Sequence, residues 1–153
     1  MNLPKAEKDF EEFIELLNKH KVKYLIVGAY ALALYAKPRN TGDLDIFIGT
    51  TENNAALMVK VLREFGFETA EINKNDFLTD GRIIQLGVSP VRIDIMNNID
   101  GVTFDEAYEQ VVKVRFGNSL ANFISKEHLI KNKLSSNRKK DQADLEDLQH
   151  EQG

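Results

Sequence analysis

Two carboxylates alternate with two aliphatic residues in the run Asp43-Leu44-Asp45-Ile46. On a β-strand, successive side chains point to opposite faces, so Leu44 and Ile46 face the core. Asp43 and Asp45 then share the other face, with Cα atoms roughly 6–7 Å apart. Such a pair can converge on one or two hard cations, and Mg²⁺ prefers oxygen ligands and leaves room for phosphate oxygens. The same alternation also fits the wet face of a half-exposed strand.

A glycine lies upstream of these acids, where a strand meets a helix. The apolar run that ends at Val27 predicts a strand covered on both faces, and the Ala- and Leu-rich segment from Ala29 predicts a short helix. Backbone N–H groups at a helix N-terminus favour anions, and Gly28 would allow a phosphate to approach closely. A plain turn glycine is the alternative interpretation.

A third acid, Asp94, lies inside the apolar run from Val91 to Met96. An aspartate is depleted in strands and costly to bury without a partner. A metal ion would offset that cost, and so would Arg92, which is predicted to share the face of Asp94. Asp94 is therefore either a metal ligand or an arginine-paired structural carboxylate.

The remaining patterns predict an α+β, or mixed α/β, fold in which helices pack on a mixed sheet, with a helical C-terminus. Helices are predicted at 5–19, 29–36, 52–65, 103–109, 125–134 and 138–149. Strands are predicted at 22–27, 43–48, 67–72, 82–86, 91–96, 111–116 and 121–124, and a loop at 73–80. We expect a single domain over 1–153, with a core at 20–117 and C-terminal helices at 125–149.

Composition narrows the classes of function. The chain has 153 residues, a net charge of −4 and no cysteine. Disulfides and thiolate metal sites are excluded, and any site for a polyanion must be local because the chain has no overall positive field. No apolar run approaches the roughly 20 residues that span a membrane. We therefore expect a cytoplasmic protein without a membrane partner.

Together, these motifs resemble the nucleotidyltransferase superfamily of the polymerase-beta type. The matching parts are Val27-Gly28-Ala29, a spacer, Asp43-Leu44-Asp45, and Asp94 on a later strand. The fuller strings are similar to small AbiEii/MNT-like nucleotidyltransferases. These strings are RNTGDLD at 39–45, LIKNK at 129–133 and RKKDQADL at 138–145. The resemblance covers about residues 10–150.

The resemblance implies transfer of a nucleoside monophosphate from an NTP, with ATP expected, to an acceptor hydroxyl. It implies Mg²⁺ as cofactor, with two ions expected and Mn²⁺ as a substitute. Asp43, Asp45 and Asp94 would be the catalytic and metal-binding residues, and Asp94 would also be the base for the acceptor hydroxyl. The nucleotide-binding residues would be Gly28, Ala29, Arg39, Thr41 and Lys133.

Several alternatives stay open at this point. Ala29 stands where the family usually has Gly or Ser, so a non-catalytic nucleotide-binding module is a rival. For an active transferase, the acceptor could be a small molecule, a protein or an RNA end. A toxin–antitoxin component that modifies its partner protein or a tRNA is another rival. A homo-oligomer or a toxin–antitoxin partner could supply acceptor binding. Lys133 and the cluster at 138–140 could instead lie on an exposed helix face, in pairs such as Lys140 with Asp144.

Overall fold

The computed structural model describes residues 8–36, 42–67, 72–88 and 91–150. Its helices are α1 (Lys8–Lys19), α2 (Gly28–Tyr35), α3 (Glu52–Phe65), α4 (Lys74–Leu78), α5 (Phe104–Tyr108), α6 (Lys126–Leu134) and α7 (Lys139–His150). Its strands are β1 (Tyr24–Val27), β2 (Asp43–Ile48), β3 (Ile83–Val88), β4 (Val91–Met96), β5 (Val112–Phe116) and β6 (Ser119–Phe123). Within the described residues, no helix is long and apolar enough to cross a membrane.

The six strands form one mixed sheet in the order β3-β4-β2-β1-β6-β5. The central pair β1 and β2 is antiparallel, whereas β2 runs parallel to β4 and β1 runs parallel to β6. The hairpins β3–β4 and β5–β6 extend the sheet on its two sides. The expected mixed α/β fold, with helices flanking a mixed sheet and a helical C-terminus, is confirmed.

Burial explains why β1 lies near the centre of the sheet. All four of its residues are buried, as expected for a strand covered on both faces. Helix α1 buries Phe13 and Leu17 in the same core, and α3 buries Met58 and Leu62. These side chains recur at helical spacing, so each helix presents one apolar face to the sheet.

Asn54, in the first turn of α3, fixes the neighbouring ends of β1 and β2. Its backbone N–H donates to the Thr51 hydroxyl at 3.1 Å, which caps the helix. Its side-chain oxygen accepts from Lys23 N at 2.8 Å. Its amide nitrogen donates to Lys23 O at 3.0 Å and to Gly49 O at 2.9 Å. One buried amide therefore satisfies backbone groups from two strand ends.

The loop expected at 73–80 is wrong, because residues 74–78 form helix α4. The side chains of Asn73 and Asp76 make a reciprocal capping box, and Phe77 anchors the helix in the core with 1% exposure. The strand expected at 67–72 falls mostly on residues 68–71, which lie outside the described residues. Neither Phe67 nor Ile72 belongs to a strand.

Candidate active site

The parallel pairing of β2 with β4 places four charged residues on one face of the sheet. Asp43 lies opposite Arg92 in the register, and Asp45 lies opposite Asp94. On the other face, the aliphatic residues between them are buried, Leu44 among them. The alternation predicted from the sequence is therefore confirmed, and two strands contribute acids to the same surface.

The guanidinium of Arg92 lies between two of these carboxylates. Its Nη2 is 2.8 Å from Asp43 Oδ2. Its Nε and Nη2 also donate to the two Asp94 carboxylate oxygens, at 3.0 and 3.1 Å. Asp94 is 8% exposed, so this bidentate pairing offsets the cost of burying its charge. Of the two alternatives for Asp94, the structure therefore contains the pairing with Arg92.

The surroundings of Asp45 disfavour the ionised form of its carboxyl group. Burial, followed by repulsion from Asp94 and Asp43, raises the pKa of Asp45 to about 6. The positive charges of Arg92 and Lys140 act in the opposite direction but do not cancel these effects. Several carboxylates at one point, one of them with a raised pKa, are typical of sites that carry chemistry.

Gly28 is required at its position by Asp45. A Cβ atom at residue 28 would lie 2.1 Å from Asp45 Oδ2, and the backbone has φ +68°. Both conditions exclude an ordinary side chain. Gly28 also begins α2, whose N-cap residue Val27 makes no side-chain capping hydrogen bond. The carboxylate thus packs against backbone at the start of this helix, so Gly28 is more than a turn residue.

These elements line a cleft of about 330 Å³. One side of the cleft is formed by α2, by β2 and by the residue that precedes β2: Gly28, Ala29, Leu32, Gly42, Asp43 and Asp45. The side formed by α6, α7 and the residues between them carries Lys133, Arg138, Lys140, Asp141 and Asp144. A larger cleft, of about 470 Å³, is lined by Phe47, by Thr50 and by residues that follow β4. It contains none of the predicted site residues, so the smaller cleft is the candidate site.

Lys133 is buried, with 8% of its side chain exposed. Its Nζ is 2.7 Å from Asp141 Oδ1 and 3.3 Å from Asp144 Oδ2. The alternative that placed Lys133 on an exposed helix face is therefore wrong. Asp144 was considered as a partner for Lys140 on an exposed helix face. In the structure Asp144 is buried and pairs with Lys133.

Asp141 is the centre of this second network. It also accepts from Arg138 Nε at 2.7 Å and from the Ser136 hydroxyl. Burial raises the pKa of Asp141, but the hydrogen bonds from Lys133, Ser136 and Arg138 outweigh that effect and hold this pKa well below its ordinary value. Sequence reasoning missed this role. The sequence signal for this role is the spacing of Asp141 and Asp144, which are three residues apart and therefore share one face of α7.

Two of the predicted nucleotide-binding residues, Arg39 and Thr41, lie outside the described residues. Of the others, Gly28, Ala29 and Lys133 line the same cleft as Asp43 and Asp45. Asp94 lies one strand further away, beside Asp45 in the register.

The donor set agrees with a divalent cation in its chemistry. Asp43, Asp45 and Asp94 bring three carboxylates to one face of the sheet, and Arg92 supplies one positive charge there. Oxygen donors with excess negative charge are what Mg²⁺ and Mn²⁺ require. Within the described residues, however, no three His, Cys, Asp or Glu side chains are arranged to hold a metal ion. Arg92 contacts two of the three carboxylates, so metal binding would require these side chains to turn.

Comparison with solved structures shows that this fold is shared with nucleotidyltransferases. The lincosamide antibiotic adenylyltransferase LnuA, in its lincomycin-bound form, aligns with a TM-score of 0.59 at 17% identity, over 99% of this chain and 100% of its own. TM1012 of Thermotoga maritima aligns at 0.62 and 18% identity, over 93% and 91%. An antigenic nucleotidyltransferase-like protein of Paracoccidioides brasiliensis aligns at 0.54 and 13%, over 97% and 77%.

The family is shown by a sequence model that matches residues 6–152. The chain belongs to the family described as nucleotidyl transferases of unknown function (DUF2204). A comparison with curated proteins finds no match. The family and the fold agree with the resemblance drawn from the motifs, and they imply a nucleoside triphosphate as substrate.

Proposed function

We propose that this protein transfers a nucleoside monophosphate from an NTP to an acceptor hydroxyl in a Mg²⁺-dependent reaction. The observation that carries the proposal is the contact between Gly28 and Asp45. Gly28, at the start of α2, and the half-buried carboxylate of Asp45 line the same cleft, so a phosphate and its metal ion would meet there.

In this reaction the acceptor oxygen attacks the α-phosphorus. A new oxygen–phosphorus bond forms, the bond between the α-phosphorus and the oxygen that bridges to the β-phosphorus breaks, and pyrophosphate leaves with the bonding electrons. Mg²⁺, when bound, would neutralise charge on the phosphates and on the leaving pyrophosphate. The chain's own residues would orient the reactants and accept the proton.

Each strand residue has a proposed role. Asp43 and Asp45 would hold the metal ions, since both line the cleft. Asp94 would be the third ligand and would take the proton from the acceptor hydroxyl. Gly28 and the backbone N–H of Ala29 would bind phosphate oxygens at the start of α2. Arg39 and Thr41 stay predictions of the motif.

ATP is the NTP that we expect. The structural neighbour LnuA is an adenylyltransferase, and it was solved with lincomycin bound. A small hydroxylated molecule is therefore a reasonable first acceptor to test, and a protein or an RNA end such as that of a tRNA follows. A toxin–antitoxin partner or a second copy of the chain would be a source of acceptor-binding surface, as proposed from the motifs.

The experiment is to incubate the protein with α-³²P-labelled ATP, Mg²⁺ or Mn²⁺, and fractions of small molecules, RNA and protein from a cell extract. We expect label transfer that is lost in both Asp43→Ala and Asp45→Ala. The exposed helix residue Glu15 gives a matched control, Glu15→Ala, which removes a carboxylate far from the cleft and retains transfer. Transfer that survives in both single variants, Asp43→Ala and Asp45→Ala, would overturn the proposal.

A second candidate function is nucleotide binding without turnover. Two observations favour it: Ala29 departs from the family motif, and Arg92 already contacts Asp43 and Asp94. A non-catalytic protein would bind Mg²⁺–ATP but release no pyrophosphate with any acceptor fraction. The substitution Ala29→Gly tests this second candidate. If the wild type has no turnover and Ala29→Gly restores it, the remaining residues of the site are competent and Ala29 is the cause of the loss.

A further inference from the structure

Two lysines line the candidate cleft, and they differ in burial and in charge balance. Lys133, on α6, is buried and faces Asp141 and Asp144. Lys140, in the first turn of α7, is exposed and lines the cleft together with Asp45. The motif suggested Lys133 as the nucleotide-binding lysine. The geometry distinguishes the two residues and favours Lys140 as the nucleotide-binding lysine.

The charge of Lys133 is already balanced. Among the described residues, Lys133 and Arg138 supply two positive charges, and Asp141 and Asp144 supply two negative charges within ion-pair distance. A neutral cluster exerts little net attraction on an incoming phosphate. To bind one, Lys133 would have to release a buried carboxylate, and leaving a buried charge without its partner is strongly destabilising.

The charge of Lys140 is available to a ligand. Within the described ranges of the chain, Lys140 forms no salt bridge, whereas the neighbouring Asp141 is engaged by Lys133 and Arg138. Its charge acts across the cleft on Asp45, which places it near the carboxylates that would hold the metal. It also lies at the N-terminal end of a 12-residue helix, where the helix dipole adds to the attraction for anions.

We propose that Lys140 binds the β- and γ-phosphates of the NTP, and that Lys133 is a positioning residue that does not touch the nucleotide. The proposal rests on the proposed function of the cleft. Lys133 holds Asp141, the residue after Lys140, and so fixes the first turn of α7 against α6. Lys140 then faces the strand carboxylates from the opposite wall of the cleft.

The test measures binding by titration calorimetry, using the full chain. The probes are the Mg²⁺ complex of α,β-methylene-ATP, which cannot be cleaved at the reacting bond, and inorganic tripolyphosphate, which lacks the nucleoside. The variants are Lys140→Ala, Lys140→Arg and the matched control Lys139→Ala. Lys139 is exposed and adjacent to Lys140, but it does not line the cleft.

We expect Lys140→Ala to weaken binding of both probes at least tenfold, Lys140→Arg to restore most of it, and Lys139→Ala to change it less than twofold. Lys133→Met should lower the thermal midpoint of the protein, whereas none of the three substitutions at the exposed lysines should lower it. Equal losses at 139 and 140 would indicate general electrostatic attraction and would overturn the assignment of Lys140.

The remaining outcomes separate this proposal from the proposed function. If the wild type binds the nucleotide probe and Lys140→Ala binds it equally well, the assignment of Lys140 is wrong while the function of the cleft stands. If the wild type binds neither probe, both proposals are wrong.

Discussion

Replacing Asp45 by asparagine should stabilise the metal-free protein, and the gain should depend on pH. The pKa of Asp45 is raised from 3.8 to about 6, chiefly by burial and then by the charges of Asp94 and Asp43. A pKa difference of about two units corresponds to about 3 kcal/mol at 1.36 kcal/mol per unit. The folded state bears this cost whenever Asp45 is ionised, and an asparagine does not.

The sign follows from linkage between protonation and folding. Below about pH 4 the carboxyl is protonated in both the folded and the unfolded chain, so its ionisation contributes nothing to the difference. Between about pH 4 and pH 6 only the unfolded chain ionises, and the penalty grows with pH. Above about pH 6 the penalty is constant. The variant should therefore gain stability relative to the wild type as pH rises, and the gain should level off near pH 6.

The assay is urea unfolding of the wild type and Asp45→Asn in EDTA, at closely spaced pH values from 4 to 8. At pH 7.5 we expect the free energy of unfolding of the variant to be higher by about 2–3 kcal/mol, which is roughly 4–12 °C in thermal midpoint for a chain of this size. The control is Glu15→Gln on α1, an exposed carboxylate whose replacement should change the free energy of unfolding only slightly. A pH-independent difference between wild type and Asp45→Asn would refute the reasoning.

Three further predictions concern the surroundings of this site. Gly28→Ala should lower the free energy of unfolding by about 1–3 kcal/mol and weaken Mg²⁺–ATP binding in calorimetry, because its Cβ would overlap Asp45 Oδ2 and its φ is positive. Asn54→Ala should cost about 2–4 kcal/mol in urea unfolding, since it leaves buried backbone groups unpaired. Asp141→Asn should lower the free energy of unfolding at pH 7, because hydrogen bonds depress the pKa of Asp141 and so stabilise its ionised form in the folded state. The difference from the wild type should shrink as pH falls below about 4, and urea unfolding at pH 7 and pH 3 tests this.

The sheet part of the site could be predicted because it depends on local rules. Alternation on a strand has a period of two, so the sequence alone placed Asp43 and Asp45 on one face. The same rule placed Arg92 on the face of Asp94, where pairing with it was one of two alternatives. The limits predicted for the helix at 52–65 agree with α3, in which Thr51 caps the start and Gly66 ends the helix in a left-handed conformation. In each case the decisive residues are close in sequence.

The missed features depend on partners that are distant in the chain or on a capping pattern that looks like a loop. Helix α4 lies in a polar stretch, yet Asn73 and Asp76 have the spacing of a capping box, and Phe77 supplies the apolar anchor. The burial of Lys133 follows from Asp141 and Asp144, which lie on the next helix. No periodicity within α6 reveals that pairing, because it depends on how α6 and α7 pack together.

The like charges at the site are held together by apolar residues on the reverse face of the same strands. Parallel pairing sets Leu44 against Ile93 and Ile46 against Ile95, and these four side chains are buried. Burying an aliphatic side chain of this size contributes roughly 1.5–3 kcal/mol, so the four together contribute roughly 6–12 kcal/mol. That exceeds the cost of about 3 kcal/mol for ionised Asp45. The pairing of β2 with β4 can therefore hold Asp45 beside Asp94 without a bound metal ion. A cation that enters the cleft would find the carboxylates already close together, because burial of the four aliphatic side chains offsets their repulsion.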